Sequence, residues 1–364
     1  MFVGLSLAQS VGENNLKVGL VLSGGGAKGL AHIGVLKTID SLGVKIDYVA
    51  GTSVGAIIGG LYASGYSGNE IDSIFKLVNF DHLINDHIPR ASKSFYERDT
   101  AEKYAFSLPF TDFKVQIPSA ISKGQNIFNL LSKLMLHVSD VERFENLPIP
   151  FFCVATNIET GTQVILDAGS LPQAIAASSA LPSLFQPINK DNMMLVDGGI
   201  VNNYPIRELK AKGMSRVIGV DVQDDLYERN KLNSAPDILL QISNFRTIDA
   251  MQDKSKLTDI YIKPNIKNYN VVSFQHGEKL IENGRLASLI KENELSELVN
   301  EQRNNHLVKP SFNVPDSIKI NDIVINGKED YTRSYVLGKL KIRSNEIISY
   351  NRFDKGINLS LIHI

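Results

Sequence analysis

Apolar residues in this chain gather into short runs separated by glycine-rich or polar turns. The first run, KVGLVLS, predicts a strand. It leads through GGGAKG into LAHIGVLKTIDSLG, whose apolar positions recur at helical spacing and which Gly43 closes. The pair then repeats: KIDYVAG predicts a strand, and SVGAIIGGLYASG a helix rich in small residues that ends at Gly65. Further on, IPFFCVATNI and TQVILDAG predict two strands joined at ETG. SLPQAIAASSA predicts a helix, and MMLVDGG and SRVIGVDVQ two more strands. Strands alternating with helices in this way predict an α/β fold, a sheet with helices on its faces.

Two stretches break the alternation. From Asn79 to Leu131 aromatic and charged residues mix without a clean helical period, as in SFYERDTAEKYAFSLPFTDFKVQIPSA. This reads as a cap, or as an ordinary packed hairpin layer. From Lys309 onward, PSFNVPDSIKINDIVING offers proline punctuation and then a strand, YTRSYVLGKLKI a helix, and SYNRFDKGINLSLIHI a second helical pattern.

Composition narrows the function classes. The 364 residues suffice for two or three domains, and 43% hydrophobic with 21% charged residues is the balance of a globular chain. The 38 Lys and Arg nearly cancel the 39 Asp and Glu, and no basic run stands out, so nothing favours a nucleic-acid partner. The single cysteine, Cys153, lies in an apolar run with no second ligand at metal spacing, and reads as core. No apolar run is long enough to cross a bilayer as a helix. Residues 1–9, MFVGLSLAQ, resemble the end of a truncated signal peptide, although they lack a basic start; a merely apolar terminus is the alternative.

Candidate chemistry lies at three glycine-rich points. GGGAKG satisfies G-x-G-x-x-G at Gly24, Gly26 and Gly29 after a strand and before a helix, which admits a dinucleotide-binding protein. That alternative wants an acid near the end of the second strand, and Asp47 stands at its start. A phosphate-binding P-loop is excluded, because Lys28 is followed by Gly29 and not by Ser or Thr. Consecutive glycines ahead of a helix can instead turn backbone N–H groups onto an oxyanion. In GTSVG, Ser53 occupies a strand-to-helix turn of the nucleophile-elbow type, with a helix cap as the structural alternative. In LVDGGIVNNYP, Asp197 ends an apolar strand before two glycines, a position equally suited to an Asx turn.

No histidine presents itself as the base for Ser53. His32 falls on the first helix, His82 and His87 lie in DHLINDH at a spacing unsuited to a metal pair, and His137, His276, His306 and His363 are isolated.

Taken together and in order, SGGGAKG, GTSVG and DGG resemble the patatin-like phospholipase family, and the resemblance spans roughly Leu16 to Asn305. It implies a three-layer α/β/α sandwich around a mostly parallel sheet. It also implies a Ser53–Asp197 dyad without histidine, an oxyanion loop at Gly24, Gly25 and Gly26, and no cofactor or metal. Lys28 holds the basic position of that loop, where it would contact a lipid head group or stay solvated. The substrate implied is a phospholipid or another acyl ester at a membrane or micelle surface. Residues 309–364 resemble the start of a POTRA module, with its closing strands missing and its first strand unpaired. That likeness implies an outer-membrane barrel as partner and export of the chain, a cytoplasmic location being the alternative. The expected organisation is a signal-like 1–9, a hydrolase domain over 10–308 and a small α+β segment over 309–364. A catalytically inactive patatin-fold adaptor also remains open.

Overall fold

A computed structural model describes residues 16–86, 110–111, 113–115, 120–223, 225–226, 228–229, 232, 235–302, 315–325 and 332–361. The signal-like start, His87, His306, His363 and the central part of the expected cap lie outside these residues.

The chain opens with β1 (Val18–Leu22) and α1 (Ala31–Leu42), then β2 (Tyr48–Thr52) and α2 (Val54–Ala63). Two helices, α3 (Gly68–Leu77) and α4 (Phe80–Ile84), precede the short strands β3 (Phe110–Thr111), β4 (Lys114–Val115) and β5 (Ala120–Ser122), and α5 (Gln125–Leu134) follows. Next come β6 (Phe151–Asn157), β7 (Thr162–Leu166), α6 (Leu171–Ser178), β8 (Ser183–Phe185), β9 (Ile188–Lys190) and β10 (Met193–Asp197). The remainder of this body is α7 (Ile206–Ala211), β11 (Arg216–Val220), α8 (Ala235–Lys256), β12 (Ile260–Ile262), α9 (Gly277–Leu289) and α10 (Glu292–Glu301).

Eight strands form one sheet in the order β12-β11-β1-β2-β6-β10-β9, with β7 also on β6. The pairs from β12 to β6 are parallel, whereas β6–β10, β10–β9 and β6–β7 are antiparallel. β1, β2 and β6 are buried along their whole length. That explains their near-continuous apolar sequences, because a parallel strand covered on both faces has no polar side to show. Val18, Leu20, Leu22, Val49, Phe151 and Cys153 join a core shared with α1, α2, α6 and α9. The alternate positions Val21, Tyr48, Ala50, Phe152 and Val154 pack with Ile206 and Leu209 of α7 on the other face. The α/β sandwich is therefore three-layered, and Cys153 is core, with burial pushing its thiol up.

The edge of β6 has an unusual division. β7 takes one edge along Cys153–Asn157. The other edge is shared, Phe151–Val154 pairing with β2 and Ala155–Asn157 with β10. Thr52 and Asp197 thus sit opposite the consecutive residues Val154 and Ala155.

The carboxy-terminal unit comprises β13 (Ser317–Ile320), α11 (Arg333–Leu340), β14 (Glu346–Ser349) and α12 (Tyr350–Leu361), with its own cluster of Val336, Leu340, Ile342 and Ile348. The first strand was expected to be unpaired, but β13 pairs antiparallel with β14. EIIS is too short to stand out between two helical patterns, and its pairing satisfies the edge that the sequence left open. Tyr350 donates its hydroxyl to the Asn129 carbonyl of α5 at 2.9 Å. Among the described residues no helix is long and apolar enough to cross a membrane.

The helix layer is tightest where α1 crosses α9. A Cβ on Gly34 would collide with the Ile281 carbonyl oxygen, and one on Gly284 with that of Ala31, so the two helices touch backbone to backbone. Gly284→Val should therefore cost about 3 kcal/mol, the upper part of the usual overpacking range. Urea unfolding measures this, and an unchanged midpoint would show that the helices separate freely.

Candidate active site

Ser53 occupies the turn from β2 into α2 with φ 57° and ψ −128°. A positive φ costs a residue bearing a Cβ about 1–3 kcal/mol, so its surroundings must hold it there. Gly55 permits the turn, because a Cβ at this position would strike the carbonyl oxygens of Leu22 and Ser23 at the end of β1. The Ser53 N–H donates to Ser178 Oγ at 3.2 Å, and that hydroxyl donates to the Val154 carbonyl at 2.6 Å. The Ser53 side chain makes no capping bond to its own helix. Instead, its hydroxyl donates to Asp197 Oδ2 at 2.6 Å.

Asp197 ends β10 and is fixed on every side. Its N–H donates to the Ala180 carbonyl at 2.9 Å, and its own carbonyl accepts from Thr156 Oγ1 at 3.0 Å. Its Oδ1 accepts the Gly199 N–H at 2.7 Å, which is the Asx turn read in the sequence. The turn and the contact with Ser53 use different oxygens of one carboxylate, so the two sequence readings coexist. Burial raises the Asp197 carboxyl from 3.8 to about 6, against the opposing pull of its bonds from Ser53 and Gly199.

The raised value has a consequence for stability. The folded protein binds this proton more tightly than the unfolded chain, so the associated stability is fully present below about pH 4 and is lost as pH rises through about 6. Asp197→Asn should therefore be more stable than wild type by about 2–3 kcal/mol at pH 8, at 1.36 kcal/mol per pK unit. The gap should close toward pH 4. Paired urea titrations measure it, and a gap independent of pH would mean that the carboxylate is not desolvated.

The glycine loop borders Ser53, but its three glycines differ. The Gly24 N–H is already committed to Asn203, through Oδ1 at 3.1 Å and the backbone carbonyl at 3.3 Å. The Ala27 N–H donates to the Val271 carbonyl at 2.9 Å. Between them, the Gly25 and Gly26 N–H groups meet no acceptor among the described residues. These two amides and the amino end of α2 are the donors that face Ser53's cavity.

That cavity, about 160 Å³, has Ser53, Asp197, Gly25 and Gly26 at its polar end. Apolar side chains line the rest, among them Ile57, Leu61, Leu131, Leu184 and Phe185. Phe80 of α4 and Ile127 of α5 also face it, so the described ends of the expected cap do cover the site. The Phe80 ring stacks on Phe274 at 4.4 Å. Lys28 lies on the wall at 3% exposure, buried and not solvated.

No histidine among the described residues bonds to Ser53 or Asp197. His32 is buried, and desolvation lowers it to about 4, so the ring is neutral. Its Nε2–H donates to the Ser23 carbonyl at 2.8 Å, while Nδ1 has no partner. His137 bonds the Ser64 carbonyl. The dinucleotide alternative loses its ribose anchor. Asp47 accepts the Val18 N–H at 2.8 Å and pairs with Lys45, at the end of the sheet opposite the glycine loop.

Comparison with known proteins gives the family of the chain. The patatin-like phospholipase model matches residues 20–210, a little over half of the chain. The chain belongs to the patatin-like phospholipase family. It is 30% identical over 286 residues to the lysophospholipase NTE1 of Meyerozyma guilliermondii, covering 72% of this chain and 18% of that protein. With the Mycobacterium tuberculosis NTE family protein MT2641 it is 28% identical over 307 residues, 78% of this chain and 47% of that one. The chain therefore spans less than half the length of these relatives. It is also similar to VipD from Legionella pneumophila, at 17% identity and a TM-score of 0.45, over 78% of this chain and 67% of that one.

Three site residues of this patatin domain escaped the sequence reading. Ser178 and Asn203 stand in ASSA and NNYP, beside recognised motifs, and their neighbourhood was the only signal. Gln223, at the end of VIGVDVQ, carried none.

Proposed function

We propose that this patatin domain is a serine lipid acyl hydrolase working through a Ser53–Asp197 dyad. The observation that carries the proposal is the 2.6 Å bond from Ser53 Oγ to a buried, unprotonated-at-neutrality carboxylate, at the polar end of an apolar cavity. The substrate's acyl chain lies along Ile57, Leu131 and Phe185 and brings its ester carbonyl to Ser53. Asp197 takes the hydroxyl proton as Ser53 Oγ attacks the carbonyl carbon. The oxyanion that forms accepts the Gly25 and Gly26 N–H groups, and the amino end of α2 adds to its stabilisation. Asp197 then returns the proton to the departing alkoxide, and an acyl-serine remains. Water, deprotonated by the same carboxylate, attacks the acyl-serine; the bond to Ser53 Oγ breaks, Asp197 returns the proton to that oxygen, and the fatty acid is released.

The names of the relatives support an acyl ester of a lysophospholipid or phospholipid as substrate. Lys28, on the cavity wall, is suited to a phosphate head group. The catalytically inactive adaptor is disfavoured by the intact Ser53–Asp197 contact. The carboxy-terminal unit keeps its own apolar cluster, which supports treating 309–364 as a second domain resembling the start of a POTRA module. An outer-membrane barrel would then be its partner in a longer protein.

The test is fatty-acid release from mixed lysophospholipid and phospholipid micelles. Ser53→Ala and Asp197→Ala should each lose about 10³-fold or more in kcat while remaining folded by circular dichroism. Because Asp197 must be ionised to act as base, kcat/KM should rise with pH through about 6 and level off above it. Full activity in Asp197→Ala, or the absence of any acid limb, would rule out this carboxylate as the base.

A further inference from the structure

We propose that Asn203 is a positioning residue that aims the oxyanion loop; the proposal rests on the hydrolase reading and concerns how its donors are held. Asn203 is 8% exposed and grips one residue, Gly24, with both ends of its side chain, so that it holds the peptides on either side of that glycine. Oδ1 accepts the Gly24 N–H at 3.1 Å, and Nδ2 donates to the Gly24 carbonyl at 3.2 Å. The second Nδ2 hydrogen goes to Gln223 Oε1 at 3.0 Å. Gln223 Nε2 in turn donates to Thr247 Oγ1 of α8 at 2.8 Å, which fixes the orientation of the whole amide chain.

The consequence follows from peptide planarity. In a trans peptide, the carbonyl of Gly24 and the N–H of Gly25 point in opposite directions. Holding the Gly24 oxygen against Asn203 Nδ2 therefore turns the Gly25 N–H away from Asn203, and no acceptor among the described residues takes it. Glycines on both sides of that peptide offer little steric resistance to rotation. If the peptide flipped, a carbonyl oxygen would replace an N–H donor and would repel the oxyanion it should stabilise. Asn203 thus sets the sign of the partial charge presented at the site without touching the reacting atoms. It also lies next to the Asp-Gly-Gly turn, since a Cβ on Gly199 would fall 2.9 Å from Asn203 Oδ1. Proton acceptor and oxyanion donors are thereby tied to one segment.

Asn203→Asp separates this role from simple packing, because it preserves size and the Oδ1 acceptor but replaces the Nδ2 donor with an oxygen. The variant should lose about 100-fold in kcat, the usual cost of one oxyanion donor, with KM within about twofold. The rate at which a fluorophosphonate labels Ser53 should fall in parallel, since that adduct fills the same hole. Rates are to be expressed per folded molecule by active-site titration. An independent check needs no variant. In wild type selectively labelled with ¹⁵N-glycine, the fluorophosphonate adduct should move the Gly25 and Gly26 amide protons downfield and leave Gly24 in place.

Unchanged kcat in Asn203→Asp, a loss confined to KM, or a downfield shift of Gly24 in place of Gly25 would overturn the inference. If Asn203→Asp does not fold, the wild-type spectra decide alone. A wild type that neither releases fatty acid nor labels at Ser53 overturns the hydrolase reading, and this inference with it. An active wild type with an equally active Asn203→Asp overturns only the role of Asn203.

Discussion

The site depends on how one edge of β6 is divided. Because β7 occupies the other edge over Cys153–Asn157, β2 and β10 must meet end to end along the remaining one. Residues along a strand rise by about 3.3 Å, so partners of adjacent residues are held within a few ångströms of each other. Thr52 opposite Val154 and Asp197 opposite Ala155 are such partners. Ser53, one residue beyond Thr52, therefore meets Asp197 although 143 other residues lie between them in sequence. The same strand supports the strained serine, since Val154 also anchors Ser178, which accepts the Ser53 N–H. A single ladder thus sets the separation of the two groups and the conformation of one of them.

Burial then adjusts the chemistry that the ladder brings together. A carboxylate of ordinary acidity is a weak base toward an alcohol, and the loss of water around Asp197 narrows that gap by raising its proton affinity. The same desolvation and the positive φ of Ser53 both weigh against folding. The two apolar clusters on either face of the sheet offset them, and they surround β2, which leads into Ser53, and β6, on which Asp197 of β10 is paired. This is the usual relation between a packed scaffold and a destabilised site.

The parts of this arrangement visible in the sequence were those written into short local patterns. GTSVG, DGG and the glycine loop each encode a turn whose backbone only a few residue types tolerate, and the buried strands announce themselves as unbroken apolar runs. What escaped depends on tertiary partners. The commitment of the Gly24 amide depends on Asn203, 179 positions away. Lys28 was read as a head-group contact or a solvated lysine, and it is buried on the cavity wall. Among the described side chains of α8, Gln241 and Thr247 are buried, whereas Ile242 and Phe245 are about half exposed. A reading that assigns apolar residues to the inside cannot orient such a helix.

The burial of polar residues on α8 has a physical cause in the site it borders. An oxyanion loop must leave some amides unpaired for the substrate, and the rest of its polar groups still require partners once buried. Those partners cannot come from an apolar helix face. Thr247 and Gln223 supply them from one side, Asn203 from the other, and His32 bonds the Ser23 carbonyl from beneath. Tyr261 and Lys263 complete the surround by holding Asp221, whose other oxygen accepts the Gln223 N–H. The buried polar side of α8 is thus the counterpart of two glycine amides that meet no acceptor among the described residues. Replacing it with apolar residues would improve the helix as an isolated amphipathic element and leave the loop without a defined orientation.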